Sequence, residues 1–425
     1  MRVLWLCNIM LPVIAMHLGK EVNNKEGWLS GTYDRMKKAN FRTDTGERIE
    51  LGICFPVSEA SDELQITLPN VKVYGFYEDT AHPECYDAAL EARFKRITDN
   101  FNPDIVHCFG TEYPHTLAMT RAFAKPEKIL IGIQGLCHKC ADIYMADLPE
   151  NIQKKKTFRD IVRKDSLQKQ KEKFEKRGEF EKEALSKASH VTGRTKWDKE
   201  SVADISAARY HFMNETLRDV FYEGGWDEKK YIPHRIFLSQ GDYPLKGLHY
   251  VLQALPKILE KYPDTVVCVA GNDLTASAGL KQKIKISGYG TYLRSLIKKS
   301  GLTDHVKFLG RLSADEMKEE YLKSNLYLCA SALENSPNSL GEAMLLGVPS
   351  VASDTGGIPS VFEKDKDGLM FAPGNVEELT EKILYLFDNP DKMAGYAKCA
   401  KEHAKKTHNP DENYRRLLEI YREIV

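Results

Sequence analysis

Short apolar runs alternate with longer segments of helical spacing along this chain. Each run has the length of a buried strand, and its unbroken apolar character is typical of a parallel sheet covered on both faces. The runs lie at 3–7, 49–57, 71–77, 103–109 and 129–135, and then at 235–239, 265–271, 306–310, 326–330 and 349–353. Helical spacing follows at 86–101, from 248 onward, and at 288–300, 313–324, 377–387, 390–405 and 410–425. The alternation predicts an α/β architecture of doubly wound, Rossmann-like sheets.

The length favours two such domains. The chain has 425 residues, more than one hydrophobic core usually supports. Segment 189–198 predicts the last strand of the first domain with its loop, and the irregular, aromatic-rich stretch 204–231 predicts the crossing to the second. We therefore expect one domain at 1–225, another at 226–405, and a final helix at 406–425.

Composition excludes several classes of protein. The formal net charge is zero, so no overall positive field points to nucleic acid. The nine cysteines are scattered and odd in number, which favours free thiols over a disulfide framework, and the pair Cys137 and Cys140 lacks the second half of a zinc site. Residues 3–7 predict a first strand rather than a signal peptide, since the apolar run is short. No stretch reaches the roughly 20 apolar residues that span a bilayer, and we expect a cytoplasmic protein.

Segment 154–177 is strongly basic and carries interspersed apolar residues. A basic amphipathic helix is typical of a peripheral membrane contact, here at the inner membrane face. The alternative is a solvated helix that packs its few apolar side chains on its own domain.

The most informative stretch is 331–359. It predicts a strand, a polar loop, a helix, a second strand and a Gly-Gly loop. Ser339 stands three residues before Glu342, the spacing of a capping box, and Gly347 followed by Val and Pro predicts the end of that helix. Glu334 precedes Glu342 with seven residues between them. Both carboxylates are therefore expected near a helix start at the carboxyl edge of a parallel sheet, where open α/β sheets bind ligands.

This stretch resembles the Glu-x7-Glu signature of retaining glycosyltransferases of family 4, which have the GT-B fold. The resemblance implies two facing Rossmann-like domains with the active site in the cleft between them. It implies that Glu334 contacts the hydroxyls of the donor sugar and that Glu342 binds the ribose of the nucleotide. Main-chain groups of the intervening loop would meet the sugar and diphosphate, at Asn338, Ser339, Leu340 and Gly341. The alternative is a capped surface helix with glutamates at its positive end.

Other donor-side residues follow from the same resemblance. Lys246, followed by Gly247, matches one of two cations that clamp the diphosphate in the relatives. The second cation is missing near Gly241, and Arg311 is its candidate substitute. Three further donor-side positions are predicted at glycines: Gly310 at a strand end near the base, the pair Gly356 and Gly357, and Gly27 in a polar loop at 8–31, where the alternative is an ordinary turn glycine.

The first domain supplies the acceptor-side candidates. Glu112 and His115 follow the strand 103–109, and polar side chains after a strand end face the ligand in this class of sheet. Gln134 stands where family members often have a histidine; its amide can donate a hydrogen bond but cannot take up a proton. Arg194 is a candidate for phosphate or acceptor. For His115 and Glu112 the alternative is a structural role, and for Arg194 it is an ordinary surface ion pair.

The resemblance implies transfer of a sugar from a nucleotide-diphosphate sugar to a hydroxyl with retention at the anomeric carbon, in polysaccharide or glycolipid synthesis. Glu334 and Lys246 would carry the chemistry, a UDP-sugar would be the donor, and the acceptor would be a glycan or lipid-linked. No Asp-x-Asp motif supports a metal-dependent sugar transferase. We therefore expect no cofactor and no divalent metal. Two alternatives stay open: a sugar-nucleotide epimerase or phosphorylase of the same architecture, and a non-catalytic nucleotide-sugar-binding module.

Overall fold

The computed structural model describes residues 1–21, 27–276 and 285–425. Two compact units are present. Unit 1 comprises residues 1–141, 173–217 and 408–425, and unit 2 comprises 142–172 and 218–407. The final helix groups with the first unit. Segment 142–172, which was expected in the first domain, groups with the second because its hydrogen bonds run to 249, 250 and 288.

Unit 1 is built on an eight-stranded sheet. Its order is β3-β4-β2-β1-β5-β6-β7-β8, parallel throughout except for β3, which pairs antiparallel with β4. The strands are β1 Arg2–Cys7, β2 Glu50–Val57, β3 Gln65–Leu68, β4 Val71–Tyr77, β5 Ile105–Phe109, β6 Ile129–Gly132, β7 His190–Gly193 and β8 Arg209–Phe212. The helices that group wholly or partly with this unit are Pro12–His17, Gly27–Lys38, Ala89–Phe101, His115–Ala122, Cys137–Asp142, Leu167–Lys187, Lys196–Ala203 and Pro410–Ile424.

Two apolar clusters cover the two faces of this sheet. One packs the odd-numbered side chains of β1, such as Trp5, against the C-terminal helix, and the other packs Leu4 and Leu6 against the helices on the opposite face. The indole of Trp5 donates to the hydroxyl of Tyr421 over 2.9 Å. The final helix thus completes the core of unit 1, as burial of its apolar face requires.

Unit 2 is built on a six-stranded parallel sheet of order β11-β10-β9-β12-β13-β14. The strands are β9 Ile232–Leu238, β10 Val266–Val269, β11 Val306–Phe308, β12 Ser324–Cys329, β13 Ser350–Ser353 and β14 Leu369–Phe371. Its helices include Glu150–Gln153, Phe158–Arg163, Leu248–Lys261, Gly288–Lys299, Ala314–Lys323, Asn338–Leu346, Ile358–Val361, Val376–Asp388 and Pro390–Thr407. The predicted α/β class with two Rossmann-like sheets is confirmed.

Three local predictions were wrong, and some strands were not predicted. The polar loop expected at 8–31 contains the helix Pro12–His17, and Gly27 begins another helix; Lys25 and Glu26 lie outside the described residues. The strand from 189 is not the last of its sheet, because Arg209–Phe212 pairs beyond it. Strands β3 and β14 were missed. The basic segment 154–177 is divided between two helices, Phe158–Arg163 and Leu167–Lys187, rather than forming one.

No helix in the described ranges combines the length and the apolar character needed to cross a membrane. All nine cysteines are free, as their number and scattering indicated.

Candidate active site

In each sheet the strand order reverses at one place, between β1 and β5 in unit 1 and between β9 and β12 in unit 2. The loops after two such strands leave the sheet in opposite directions and open a crevice at its carboxyl edge, which is where α/β sheets bind ligands. Three of the predicted residues lie after these strands: Glu112 follows β5, and Lys246 and Glu334 follow β9 and β12. Asn8, which was not predicted, follows β1.

Lys246 and Glu334 form an ion pair across the switch point of unit 2. The two side chains are only 19% and 15% exposed. The hydroxyl of Ser331 donates to the same carboxylate oxygen over 2.8 Å, which fixes its position. Burial alone would lower the pKa of Lys246, but the Glu334 carboxylate reverses the effect and raises that pKa well above its usual value. Lys246 is therefore a cation held at the sheet edge by a partly desolvated carboxylate.

Two glycines let the loops around this pair approach one another. Gly247 has φ +68°, and a Cβ there would lie 1.8 Å from the carbonyl oxygen of Ala330. Gly356 has φ +54°, and a Cβ there would lie 2.0 Å from the carbonyl oxygen of Glu334, to which Gly357 donates its N–H over 2.9 Å. The pair Gly356 and Gly357 thus fixes the main chain of Glu334, and the N–H of Gly357 is already engaged.

Glu342 does not form the predicted capping box. The helix Asn338–Leu346 begins after Pro337 with no side-chain cap, and the hydroxyl of Ser339 bonds instead with the hydroxyl of Tyr327 at 2.8 Å. Residues 340–346 of this helix are all buried, so a glutamate on it cannot remain at the surface. The amides of Leu340 and Gly341 bond to the carbonyl of Pro337.

Arg218 is the partner that Glu342 requires. Its Nε and Nη2 donate to Oε1 of Glu342 over 3.1 and 2.6 Å, while Oε2 has only a 3.5 Å contact with the hydroxyl of Tyr321. Burial raises the pKa of Glu342, and Arg218 offsets part of that rise. The carboxylate is 5% exposed and the guanidinium side chain 17% exposed, so this is a buried ion pair.

Arg218 was not among the predicted site residues because 204–231 was assigned to the interdomain crossing. A signal was present: a helix whose residues from Leu340 to Leu346 are apolar apart from Gly341 and Glu342 predicts burial of the glutamate, and a buried carboxylate needs a cation. Nothing in the spacing identifies which of the chain's arginines supplies it.

In unit 1, Glu112 and His115 are joined through Asn8. The amide nitrogen of Asn8 donates to Oε2 of Glu112 over 3.0 Å, and the amide oxygen of Asn8 lies 2.9 Å from Nε2 of His115. Nδ1 of His115 lies 2.6 Å from Oε2 of Glu78, and the N–H of Gly135 donates to the other oxygen of Glu112. Both imidazole nitrogens therefore lie within hydrogen-bonding distance of side-chain oxygens.

Desolvation raises the pKa of Glu112. Gly110, at φ +99°, makes room for this carboxylate, since a Cβ there would lie 2.2 Å from its Oε2. The predicted pair Glu112 and His115 therefore forms one polar cluster at the switch point of unit 1, but His115 itself is fully buried. Only Glu112 keeps an exposed portion.

Gln134 and Arg194 belong to a neighbouring internal network. Arg194 donates to Glu215 over 2.6 Å and to the amide oxygen of Gln134 over 3.2 Å, and Gln134 donates to the same glutamate over 2.7 Å. The Arg194 side chain is 7% exposed. Its guanidinium is engaged in this internal ion pair, and the contact of Arg194 with a phosphate or acceptor stays a prediction.

The remaining candidates are simpler. Gly310 has φ +75° and accepts a 2.8 Å hydrogen bond from the N–H of Gly271, at the ends of β11 and β10. Arg311 beside it is exposed. Gly27 is the first residue of a helix.

The chain does contain one Asp-x-Asp spacing, from Asp365 to Asp367. Asp367 is fully buried and accepts hydrogen bonds from the N–H of Glu363 and from His403. It organises its own loop. In the part of the chain that the structure describes, no cluster of three His, Cys, Asp or Glu side chains is arranged to hold a metal ion.

Comparison with known proteins matches unit 2 to a family. The family model described as Glycosyl transferases group 1 matches residues 227–403. Spore coat protein SA of Bacillus subtilis is 27% identical over 179 residues, covering 42% of this chain and 45% of that protein. D-inositol 3-phosphate glycosyltransferase of Corynebacterium urealyticum is 26% identical over 180 residues, covering 42% and 41%. The chain spans a little under half of the length of each of these curated relatives.

Solved structures match over the whole chain. Sucrose-phosphate synthase of Thermosynechococcus elongatus superposes with a TM-score of 0.67 at 14% identity, covering 100% of this chain and 98% of that one. HepE of Anabaena, in complex with UDP-glucose, superposes with a TM-score of 0.67 at 16% identity and covers 100% of both chains. The chain therefore has the fold of the GT-B glycosyltransferase structures, and its residues 227–403 match the Glycosyl transferases group 1 domain.

Proposed function

We propose that this protein is a glycosyltransferase that moves a sugar from a nucleotide-diphosphate sugar to a hydroxyl acceptor with retention of anomeric configuration. The observation that carries the proposal is the Lys246–Glu334 pair, which lies at the sheet switch point of the unit that matches the transferase family. The expected pathway is synthesis of a polysaccharide or a glycolipid.

Lys246 has the properties of a diphosphate clamp. An ammonium group has three N–H donors, of which one is directed to Glu334, and the cation lies over the ring of Tyr243. The other two N–H groups can donate hydrogen bonds to a phosphate. In the reaction the bond between the anomeric carbon and the phosphate oxygen breaks, and negative charge builds on the leaving diphosphate. A preformed cation at that point stabilises the transition state more than the ground state.

Glu334 and Glu342 take the sugar and the ribose. Glu334 accepts hydrogen bonds from Lys246 and Ser331 on one oxygen, which leaves its second oxygen for sugar hydroxyls. Oε1 of Glu342 is engaged by Arg218, so Oε2 is the atom for the ribose. The amides of Asn338 and Ser339 have no acceptor in the described part of the chain, and the start of a helix favours phosphate.

We assign no protein nucleophile and no divalent metal. The acceptor hydroxyl attacks on the face from which the diphosphate leaves, and its proton passes to a leaving phosphate oxygen. In unit 1, Glu112 is the acceptor-side carboxylate, oriented by Asn8 and Gly135. The complex of HepE with UDP-glucose supports a UDP-sugar as donor, and similarity to a D-inositol 3-phosphate glycosyltransferase supports a hydroxyl acceptor.

The test starts with thermal shift against UDP-, GDP- and ADP-sugars, because a ligand at 100 times its Kd adds roughly 2.7 kcal/mol of stability. Hydrolysis of the best donor is then followed in wild type, Lys246→Ala and Glu334→Gln. Arg235→Ala is the matched control, since Arg235 and Glu320 form a second ion pair of the same unit with similar exposure, 13% and 15%. Activity lost in the first two variants and kept in the control supports the proposal.

The anomeric configuration of the product, read by proton NMR, tests retention. A donor that binds but is never cleaved would favour the binding-module alternative. Conversion of the free nucleotide sugar to its epimer would favour the epimerase.

A further inference from the structure

Helix Phe158–Arg163 of unit 2 presents an apolar face to solvent. Phe158, Ile161 and Val162 are 65%, 63% and 64% exposed, and they lie at positions i, i+3 and i+4 of one helix. Among the described residues, other large apolar side chains of comparable exposure, such as Met16, stand apart from one another in the sequence. Three on a single turn form one continuous patch, which we call the 158–162 face.

The opposite side of the helix is fixed to unit 2 by hydrogen bonds, which keeps the 158–162 face turned to solvent. Thr157 and Asp160 form a capping box, and Oδ2 of Asp160 also accepts the N–H of Gly288 over 3.0 Å. Asp160 is 2% exposed. This buried aspartate attaches the helix to the start of helix Gly288–Lys299. The exposure of the apolar side chains is therefore a fixed feature of the fold.

Positive charge surrounds the face. Lys155, Lys156, Arg163 and Lys164 are exposed and have no ion-pair partner in the described part of the chain. The nearby cations that are paired are Lys154, with Glu150, and Arg159, with Asp160 and Asp165. Four uncompensated cations therefore frame three apolar side chains.

We propose that the 158–162 face docks on an anionic lipid bilayer. Apolar side chains inserted at the level of the headgroups, framed by Lys and Arg, are the combination that peripheral membrane helices use. The charge selects this occupant over a second copy of the chain, because two copies meeting at this face would bring their unpaired cations together. The contact is independent of the proposed transfer reaction, since vesicle binding requires no turnover.

The structure also narrows the basic segment that the sequence suggested. Beyond residue 172 two of the three cations are engaged inside unit 1: Lys173 pairs with Glu84 at 3.1 Å, and Arg177 donates to the carbonyl of Glu112 over 2.8 Å. The third, Lys176, is exposed and lies on a different helix from Phe158, Ile161 and Val162. The membrane contact is therefore assigned to 155–164 and not to the whole of 154–177.

The test is co-sedimentation of the full chain with vesicles of pure phosphatidylcholine and with vesicles containing phosphatidylglycerol, at low and high salt. The apolar variant is Phe158→Gln, Ile161→Gln and Val162→Gln, with Met16→Gln, Phe212→Gln and Ile232→Gln as its matched control. The charge variant is Lys155→Gln, Lys156→Gln and Arg163→Gln, with Lys392→Gln, Lys398→Gln and Lys406→Gln as its control. Thermal unfolding of each variant verifies that the fold is kept.

We expect wild type to bind the anionic vesicles at low salt, and each test variant to bind roughly tenfold or more weakly, while both controls bind as wild type. Absence of wild-type binding to anionic vesicles would overturn the proposal. Equal loss in test and control variants would do the same, because it would show that no particular surface is involved. A dimer in gel filtration that the apolar variant dissociates would assign the face to a second copy and also overturn it.

Discussion

Replacing Arg218 by alanine tests whether the Glu342 carboxylate depends on a buried partner. The wild-type pair has two hydrogen bonds to one carboxylate oxygen, at 3.1 and 2.6 Å, and Glu342 is 5% exposed. After the substitution the carboxylate would keep only its 3.5 Å contact with the hydroxyl of Tyr321. The charge would remain in a site that is largely shielded from water.

The expected cost follows from that geometry. Removing one member of a buried ion pair destabilises a protein by about 3–5 kcal/mol. Because the Arg218 side chain is 17% exposed, water can partly replace it, and we expect the lower end, about 3 kcal/mol. For a unit of this size that corresponds to a fall in Tm of about 6–12 °C.

The loss should depend on pH. Burial already raises the pKa of Glu342, and removal of Arg218 would raise it further because Arg218 is what lowers it. A carboxyl whose folded pKa lies above its unfolded value destabilises the fold when ionised, and that penalty disappears as the pH falls below the folded pKa. The stability difference between Arg218→Ala and wild type should therefore be large at pH 8 and shrink toward pH 5.

The assay is urea unfolding with circular dichroism at both pH values, followed by calorimetric titration with UDP. The double variant Arg218→Ala with Glu342→Gln should recover part of the stability, since it removes the unpaired charge. Arg235→Ala is the control, and we expect it to cost similar stability without weakening the binding of UDP. If Arg218→Ala costs under about 1 kcal/mol, the pair is not desolvated as described. If UDP affinity is unchanged, Arg218 does not orient a donor-site carboxylate.

Three further predictions concern the loops and the second switch point. Lys246→Ala should lower turnover by more than it lowers donor affinity, measured by steady-state kinetics, because the leaving diphosphate gains charge in the transition state; an equal fall in both would contradict the clamp. Gly356→Ala should cost at least about 2 kcal/mol in urea unfolding, because its Cβ would meet the carbonyl of Glu334, whereas Gly395→Ala, in an uncrowded helix, should be neutral or stabilising by up to about 1 kcal/mol. His115→Phe should destabilise unit 1 in urea unfolding by about 1–3 kcal/mol, because it leaves the buried Glu78 carboxyl without its 2.6 Å hydrogen-bond partner, and adding Glu78→Leu should restore much of the loss.

The sheets were predictable because their strands are apolar runs of the right length. Val71–Tyr77 was predicted with both ends correct. The end of the helix Asn338–Leu346 was predicted from Gly347, which forms its left-handed cap. The strands that escaped prediction are short or partly exposed. Strand β3, at the edge of its sheet, has four residues and Leu369–Phe371 has three, so each run is too short to stand out in the sequence.

The site was predictable only as far as local spacing determines it. Glu334 and Lys246 each stand in a recognisable local pattern, and the sheet topology brings them together. The partners of Glu342 and Asn8 lie 124 and 107 residues away in the sequence, so no window of sequence contains both members. The capping box from Ser339 to Glu342 failed because other side chains compete for both residues: Arg218, 124 residues away, bonds to Glu342, and Tyr327, on the preceding strand, bonds to Ser339.

The charges around the donor-side residues explain why Arg218 matters beyond its own ion pair. Lys246 and Arg218 contribute two positive charges, and Glu334 and Glu342 contribute two negative ones, so the four residues are neutral together. The sequence lacks the second cation near Gly241 that the related enzymes place on the diphosphate. Without that cation and without Arg218, the set would carry a net negative charge and would repel a diphosphate. In the proposed site Arg218 restores the balance from the connection between β8 and β9, beside Glu342, the carboxylate proposed to bind the ribose. An arginine introduced at Gly241 should consequently not rescue Arg218→Ala, because it would add charge in the wrong place and leave Glu342 unpaired; a Gly241→Arg variant that did restore UDP affinity would show that total charge, and not the buried pair, is what the site requires.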